Sequence, residues 1–451
     1  MTIRSNLLLA TCAAAMLTAF SADAATQKSK EKGVYDPVPL KNKEYSLIDT
    51  SREVEGQFQR RGKIYPDPGL EAWITEIGNR LAPDPTDGYQ KYRFALFRDP
   101  SPNAFALPDG QIYVHTGLLA RLENEAQLAS LLAHEINHVA GHHGILANRS
   151  QKNKAVASIF IGIAGAAVGA GGWGNAVAGL INQGLYMSMF GYSRALEQEA
   201  DVHGYDLMIK GGYDVREMSS MFEILGQDYE GVQPRMRGKW STHPDLIVRG
   251  QYTAEMAANT PEDVMAGLSK GDDDFRARIR PIAIATVRDY ILDNFPKTAL
   301  ELAQQLVEEN PDDAQGLIAM GHSYIALGAR SEYTVDRPLT DKEKRKQAKI
   351  RSKLTRDELA AKAVESPEAR ANLDRNLADA EKAYLRAAEL DPYAAEAYVG
   401  LGETYMRQER YQESAKALVK YLKIRPAAPD RTVVMDDLRE ISQKLKAEKG
   451  E

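Results

Sequence analysis

The sequence predicts a mainly α-helical protein with a small β-sheet, arranged as two successive domains. Three observations lead there. Apolar residues recur at spacings of three and four through much of the first 265 residues, one short region between Tyr92 and Val114 alternates like strands, and beyond about residue 270 alanine-rich, charged sequence repeats itself. A chain of 451 residues has room for two domains, and 43% apolar residues supply their cores. Net charge is -6 and the lysines and arginines are scattered, which argues against nucleic acid as a partner.

At the N-terminus, Arg4 precedes an apolar run from Leu7 to Phe20, followed by "SADAAT" with small Ala22 and Ala24. Residues 1–24 therefore read as an export signal cleaved near Ala24, which places the mature chain in the periplasm. Cys12, the only cysteine, lies inside that signal, so the mature protein would be stabilised by packing without disulfides. Residues 25–44, which open with the polar "TQKSKEKG", read as a flexible lead-in to a domain spanning 45–265.

That domain opens with a helical pattern to Leu81, carried by Leu70, Trp73, Ile74, Ile77 and Leu81. "YRFALF" and "AFALPDGQIYV" follow, with Pro108, Asp109 and Gly110 marking a hairpin turn between two short strands. Next comes a helix with Asn124 as N-cap and Gln127 as its box partner. Its apolar face runs Leu128, Leu131, Leu132, Ile136 and Val139, and Gly141 offers the stop. No charge occurs from Ala155 to Ser193. The glycines and polar Asn175, Asn182 and Gln183 favour a buried or cleft-lining helical hairpin there, with peripheral membrane contact through 155–190 as the alternative.

From 275 to 440 the chain reads as helical repeats. Tyr398, Leu401, Gly402, Tyr405, Tyr411, Ser414, Leu418, Tyr421 and Pro426 match the tetratricopeptide pattern. A second copy ends at Pro392 with Ala380, Tyr384 and Ala387, and another at Pro311 with Ala299, Ala303 and Leu306. Gly321 and Tyr324 begin a further unit, and the excess spacing before Gly402 indicates an insertion around 329–375.

The chemistry is carried by "LLAHEINHVAGHH". Residues four apart share a helix face, so His134 and His138 can direct ring nitrogens at one ion while Glu135 points toward a water. A catalytic zinc needs a third protein ligand and an open position. "SRALEQEADVHGYD" offers Glu197, with Asp201 placed to accept the N–H of a ligating histidine. Spacing leaves Glu199 open as the ligand, and a solvated acidic face is the bland alternative. His142 and His143 read as surface residues or outer polar groups of the site. His243, in "WSTHPDL", is a loop histidine that could approach the open metal position or donate to a reacting oxygen as a catalytic residue.

HEINH, "EQEAD" and "THP", with a signal before and repeats after, resemble the zinc metalloprotease family that includes the CAAX prenyl protease and the heat-shock membrane protease. The similarity is greatest to its periplasmic branch, that of the β-barrel assembly-enhancing type. The resemblance implies a gluzincin-type metalloprotease domain (α+β) followed by an α-helical tetratricopeptide repeat domain. It implies one Zn2+ per chain on His134, His138 and Glu197, with Glu135 as catalytic base, Asp201 behind the ligands and His243 as a self-inhibiting cap. It further implies substrate added as a strand near "NAFALPDGQIYV". The expected function is an envelope endopeptidase acting on misfolded or stalled proteins in outer-membrane quality control. Its repeats would engage unfolded or misassembled envelope proteins and the outer-membrane assembly machinery. The competing expectation is a chaperone or assembly scaffold with a mostly latent protease.

Overall fold

A computed structural model of the chain describes residues 40–83, 91–150, 192–231, 245–328 and 367–449. The export signal, residues 25–39 of the 25–44 segment, the apolar stretch 155–190, His243 and residues 329–366 of the insertion lie outside the described residues.

The helical span 45–81 divides into α1 (Tyr45–Arg60) and α2 (Pro68–Leu81). Pro68 occupies the first turn of α2, where its missing N–H is no loss, and the Asp67 carboxylate caps it by accepting from Leu70 N at 3.0 Å. Between the helices Ile64 bridges to Phe97, so the linker forms a rim of the sheet.

That sheet holds β1 (Arg93–Phe97), β2 (Ala104–Ala106) and β3 (Gln111–His115) in the order β1-β3-β2. The predicted hairpin is β2 against β3, with Phe105 opposite Tyr113 and Gly110 in its turn at φ 92°, a conformation that favours glycine. β1 joins β3 in parallel, Phe94 opposite Ile112 and Leu96 opposite Val114. Alternation sends Phe94, Leu96, Ile112 and Val114 into the main core with α2. The opposite face, Phe97, Phe105 and Tyr113, meets Phe58 of α1 in edge-to-face ring contacts at 4.9 to 6.1 Å. Both faces are thus covered.

The helices α3 (Thr116–Leu119), α4 (Glu125–Ala140), α5 (His143–Ser150), α6 (Arg194–Lys210), α7 (Arg216–Gly231), α8 (Leu246–Ala258) and α9 (Glu262–Met265) complete this half. Every residue of α4 is buried, so it runs through the middle of the domain. α6 crosses it closely at Gly204, where a Cβ would stand 3.3 Å from the backbone nitrogen of His134.

Beyond lie α10 (Phe275–Leu292), α11 (Pro296–Glu309), α12 (Ala314–Gly328), α13 (Pro367–Leu390), α14 (Ala395–Arg407), α15 (Tyr411–Ile424) and α16 (Arg431–Lys449). Each packs on the next. Phe275, Ile279 and Ile282 of α10 belong to the core of the first half, whereas Ala283, Val287 and Tyr290 join Ala120 and α11 in a second core. The small residues Ala299, Ala303, Ala380, Ala387 and Ser414 are all buried at helix contacts. Ser414 Oγ donates to the carbonyl of Gly402 at 2.7 Å, joining α15 to α14. α13 begins inside the segment assigned to the insertion, because repeat arithmetic measures the excess length without locating its ends. No helix among the described residues is long and apolar enough to cross a membrane.

Candidate metal centre

The site begins with the capping of α4. Asn124 Oδ1 accepts from Gln127 N at 3.0 Å, as the sequence indicates. The Gln127 side chain turns instead to the backbone N–H of Glu123, 2.7 Å away, and donates to Glu217 at 2.9 Å, tying α4 to α7. At the other end the helix stops after Ala140, but Gly141 keeps a right-handed conformation. The left-handed residue is His142 at φ 52°, which turns the chain back along the helix it has just left.

α4 places His134 and His138 one turn apart, and α6, capped by Ser193, brings Glu197 against them. His134 Nε2 lies 2.9 Å from His138 Nε2, Glu197 Oε2 lies 3.5 Å from His134 Nε2, and Glu197 Oε1 lies 3.6 Å from His138 Nε2. Two donors on one tetrahedral zinc at about 2.0–2.2 Å stand roughly 3.3–3.6 Å apart; both carboxylate–imidazole distances meet that spacing, and the imidazole pair stands closer than it. Among the described residues, these three form the cluster that could hold a metal. The bland reading of the acidic pair fails, since Glu197 is 2% and Asp201 0% exposed. Glu199 is half exposed and faces His143, 3.7 Å from its Nε2, rather than the cluster. His142 and His143 are buried too, so of their two readings the surface one is corrected: the left-handed turn folds both inward.

Asp201 stands 2.8 Å from His134 Nδ1, which leaves Nε2 for the ion. A residue the sequence did not single out dominates this corner. Arg249 of α8 donates from Nε and Nη2 to the two Asp201 oxygens at 2.8 and 2.7 Å, and its Nη1 lies 2.7 Å from Glu197. The guanidinium also lies over the Phe222 ring at 4.3 Å. Tyr252 donates its hydroxyl to Asp201 as well. Burial would raise the Asp201 carboxyl, yet Arg249 and His134 hold it well below the usual carboxylate range. Burial likewise opposes the charge on Arg249, and Asp201 with Glu197 more than restores it. Arg249 heads the buried stripe Arg249, Thr253, Ala257 of α8, spaced by four, but that burial is not written in the sequence.

Tyr192 lies flat on His138, rings 3.8 Å apart and 12° from parallel. Burial, then Glu135 and Glu197, raise its hydroxyl well above the ordinary value, so it keeps its proton. Glu135 itself is buried and borders a shallow recess lined by Asn103, Leu131, Met221, Phe222 and Leu246. A second recess lies on the His138 side between Ala106, Pro108, Ile145 and Tyr192. The two recesses thus open at opposite ends of β2.

Comparison with known proteins agrees with this geometry. The chain is 32% identical over 169 residues to the putative β-barrel assembly-enhancing protease of Vibrio cholerae, covering 37% of this chain and 35% of that one. It is 30% identical over 176 residues to the β-barrel assembly-enhancing protease of Escherichia coli K12, covering 38% and 35%. The mitochondrial metalloendopeptidase OMA1 of Schizosaccharomyces pombe is 33% identical over 154 residues, 34% of this chain and 43% of that one. The chain therefore spans about a third of the length of the first two relatives. The model of Peptidase family M48 matches residues 68–256, a span that holds α2, the sheet, α4, α6 and α8. Residues 68–256, which carry His134, His138 and Glu197, are accordingly similar to Peptidase family M48.

Proposed function

We propose that the protein is a zinc-dependent endopeptidase of the bacterial cell envelope that acts on misfolded or stalled proteins during outer-membrane protein assembly. The carrying observation is the buried convergence of His134, His138 and Glu197 around the helix turn that bears Glu135. Peptidases of this family use zinc. Bound there, the ion would polarise the scissile carbonyl and acidify a water. Glu135 accepts the proton of the attacking water and delivers it to the leaving amine. Asp201, held charged by Arg249, fixes the His134 ring, and Tyr192 fixes the plane of His138. Strand β2, with a recess at either end, supports the reading that an extended substrate pairs beside it and places side chains in both.

The names of the bacterial relatives support outer-membrane assembly as the setting. In this reading the signal is removed near Ala24 and the mature chain is periplasmic, which N-terminal sequencing of the exported protein checks. We read α10 to α15 as tetratricopeptide units that hold client proteins or the assembly machinery, supported by the buried small residues at their helix contacts. His243 is read as a cap on the metal, so H243A should raise peptidase activity; unchanged or lower activity removes that role.

The deciding experiment is zinc analysis of the purified mature protein with casein digestion, with and without chelator. Metal bound without chelator-sensitive digestion would sink the peptidase reading. The exposed Tyr393 and Val433 of the repeat half favour a second reading, a scaffold with a mostly latent protease. Full rescue of a deletion strain by E135Q would establish that one instead.

A further inference from the structure

We propose that His143 is a positioning residue for the metal site, holding His138 in the tautomer that presents Nε2 to the ion. The inference rests on the metallopeptidase reading and adds a residue that neither HExxH nor the distant glutamate identifies. His138 turns Nε2 inward, 2.9 Å from His134 Nε2 and 3.6 Å from Glu197 Oε1. A neutral imidazole that offers a lone pair at Nε2 carries its hydrogen on Nδ1, and that hydrogen needs an acceptor when buried. His138 Nδ1 lies 2.8 Å from His143 Nδ1. His138 therefore donates and His143 accepts, which leaves the hydrogen of His143 on its own Nε2, facing the Glu199 carboxylate 3.7 Å away.

The local fold is shaped for this contact. Left-handed His142 reverses the chain directly after α4, so His143, the first residue of α5, lies back across the last turn of the helix it follows. His142 also accepts from the backbone nitrogens of Ile145 and Leu146 at 2.9 Å each, closing the turn. His143 is 0% exposed. Solvent water is thereby kept from serving as the acceptor in its place. Tyr192 covers the face of the His138 ring, so the ring's tilt is fixed by one neighbour and its tautomer by the other. The two ligand rings are consequently held in different ways: His134 by a carboxylate reinforced by Arg249, His138 by a neutral imidazole.

The test measures zinc affinity of the full chain against a chromophoric chelator, for wild type, H143A, H143Q and H143N. An Asn side-chain oxygen falls near the position of Nδ1 and can accept, whereas the Gln amide reaches further, toward the position of Nε2. H143A and H143Q should bind zinc about 10–100-fold more weakly, and H143N should remain within about threefold of wild type. H143A binding within about twofold of wild type would overturn the inference, as would H143N binding as weakly as H143Q. Should H143A fail to fold by circular dichroism, H143N against H143Q decides, and equal affinities overturn it. If the wild type itself binds no zinc, the metallopeptidase reading fails and takes this inference with it; zinc bound equally by all variants removes the role of His143 alone.

Discussion

The two halves of the molecule hold together by different means. Around α4, charged and polar side chains lie where a core would ordinarily be apolar: His134, Glu135, His138, His143, Glu197, Asp201 and Arg249 are all buried. Beyond α10 the buried contacts are of shape rather than charge, with Gly321 and Gly400 set against the ring of Tyr384 and Gly402 against Leu418. The first kind of interior loses much when one partner is removed, because the charge left behind has nowhere to go. The second loses by volume, a methyl group at a time. Among the described residues, the side-chain group that could hold a metal lies in the charged interior.

Substitutions can test this contrast in descending order of effect. E135Q should lower casein hydrolysis about 10²–10⁴-fold while leaving bound zinc unchanged, because the group that moves the proton is lost and the ligands are not. Retained hydrolysis would take Glu135 out of the chemistry. R249L should destabilise the chain by about 3–5 kcal/mol in a denaturant titration, since Asp201 and Glu197 would stay buried without their guanidinium. A loss under about 1 kcal/mol would show that water reaches that corner.

Stripping zinc with a chelator should lower the stability of the first half by about 2.7 kcal/mol when the free ion had stood at a hundredfold its dissociation constant. Amide exchange should rise in α4 and α6 and stay level in α13 to α15. G400A adds a carbon that would approach the Tyr384 ring to 2.4 Å, and should destabilise the repeats by about 1–3 kcal/mol. Casein hydrolysis by the folded G400A protein should match wild type, and a matched fall in both would break the division drawn here.

The smallest effect concerns His322, packed edge-on to Tyr384. Burial lowers its pKa below the ordinary 6.5, so the unfolded chain takes up the proton more readily than the folded one. Its contribution to stability is complete above about pH 6.5 and is lost as pH falls below that value through the folded pKa, at no more than about 1.4 kcal/mol per pH unit. Thermal melts of H322F should be flatter with pH than those of wild type over that range.

Much of the centre is legible in the sequence because its residues repeat at helical spacing. His134 and His138, and Glu197 and Asp201, are pairs four apart on α4 and α6, and the structure brings the two pairs together. Arg249 escapes such reading because it reaches Asp201 across 48 positions, and a lone arginine in "DLIVRGQY" resembles any surface cation. The hairpin was readable from its turn residues, but the parallel pairing of β1 was not, since period-two alternation says nothing of strand direction. The left-handed turn at His142 was hidden by Gly141 beside it, the residue that chemistry would have chosen.

Helix α10 has a practical corollary for anyone dissecting the molecule. A fragment ending at residue 265 would amputate Phe275, Ile279 and Ile282, and would bare the Trp73 indole that meets Phe275 at 5.6 Å. A greasy scar of that kind invites aggregation during expression, so a fragment that keeps this core intact extends through Leu292. The complementary piece, begun at Pro296, forfeits Val287 and Tyr290 in turn. Neither half can be cloned at its apparent border without borrowing the same eighteen residues.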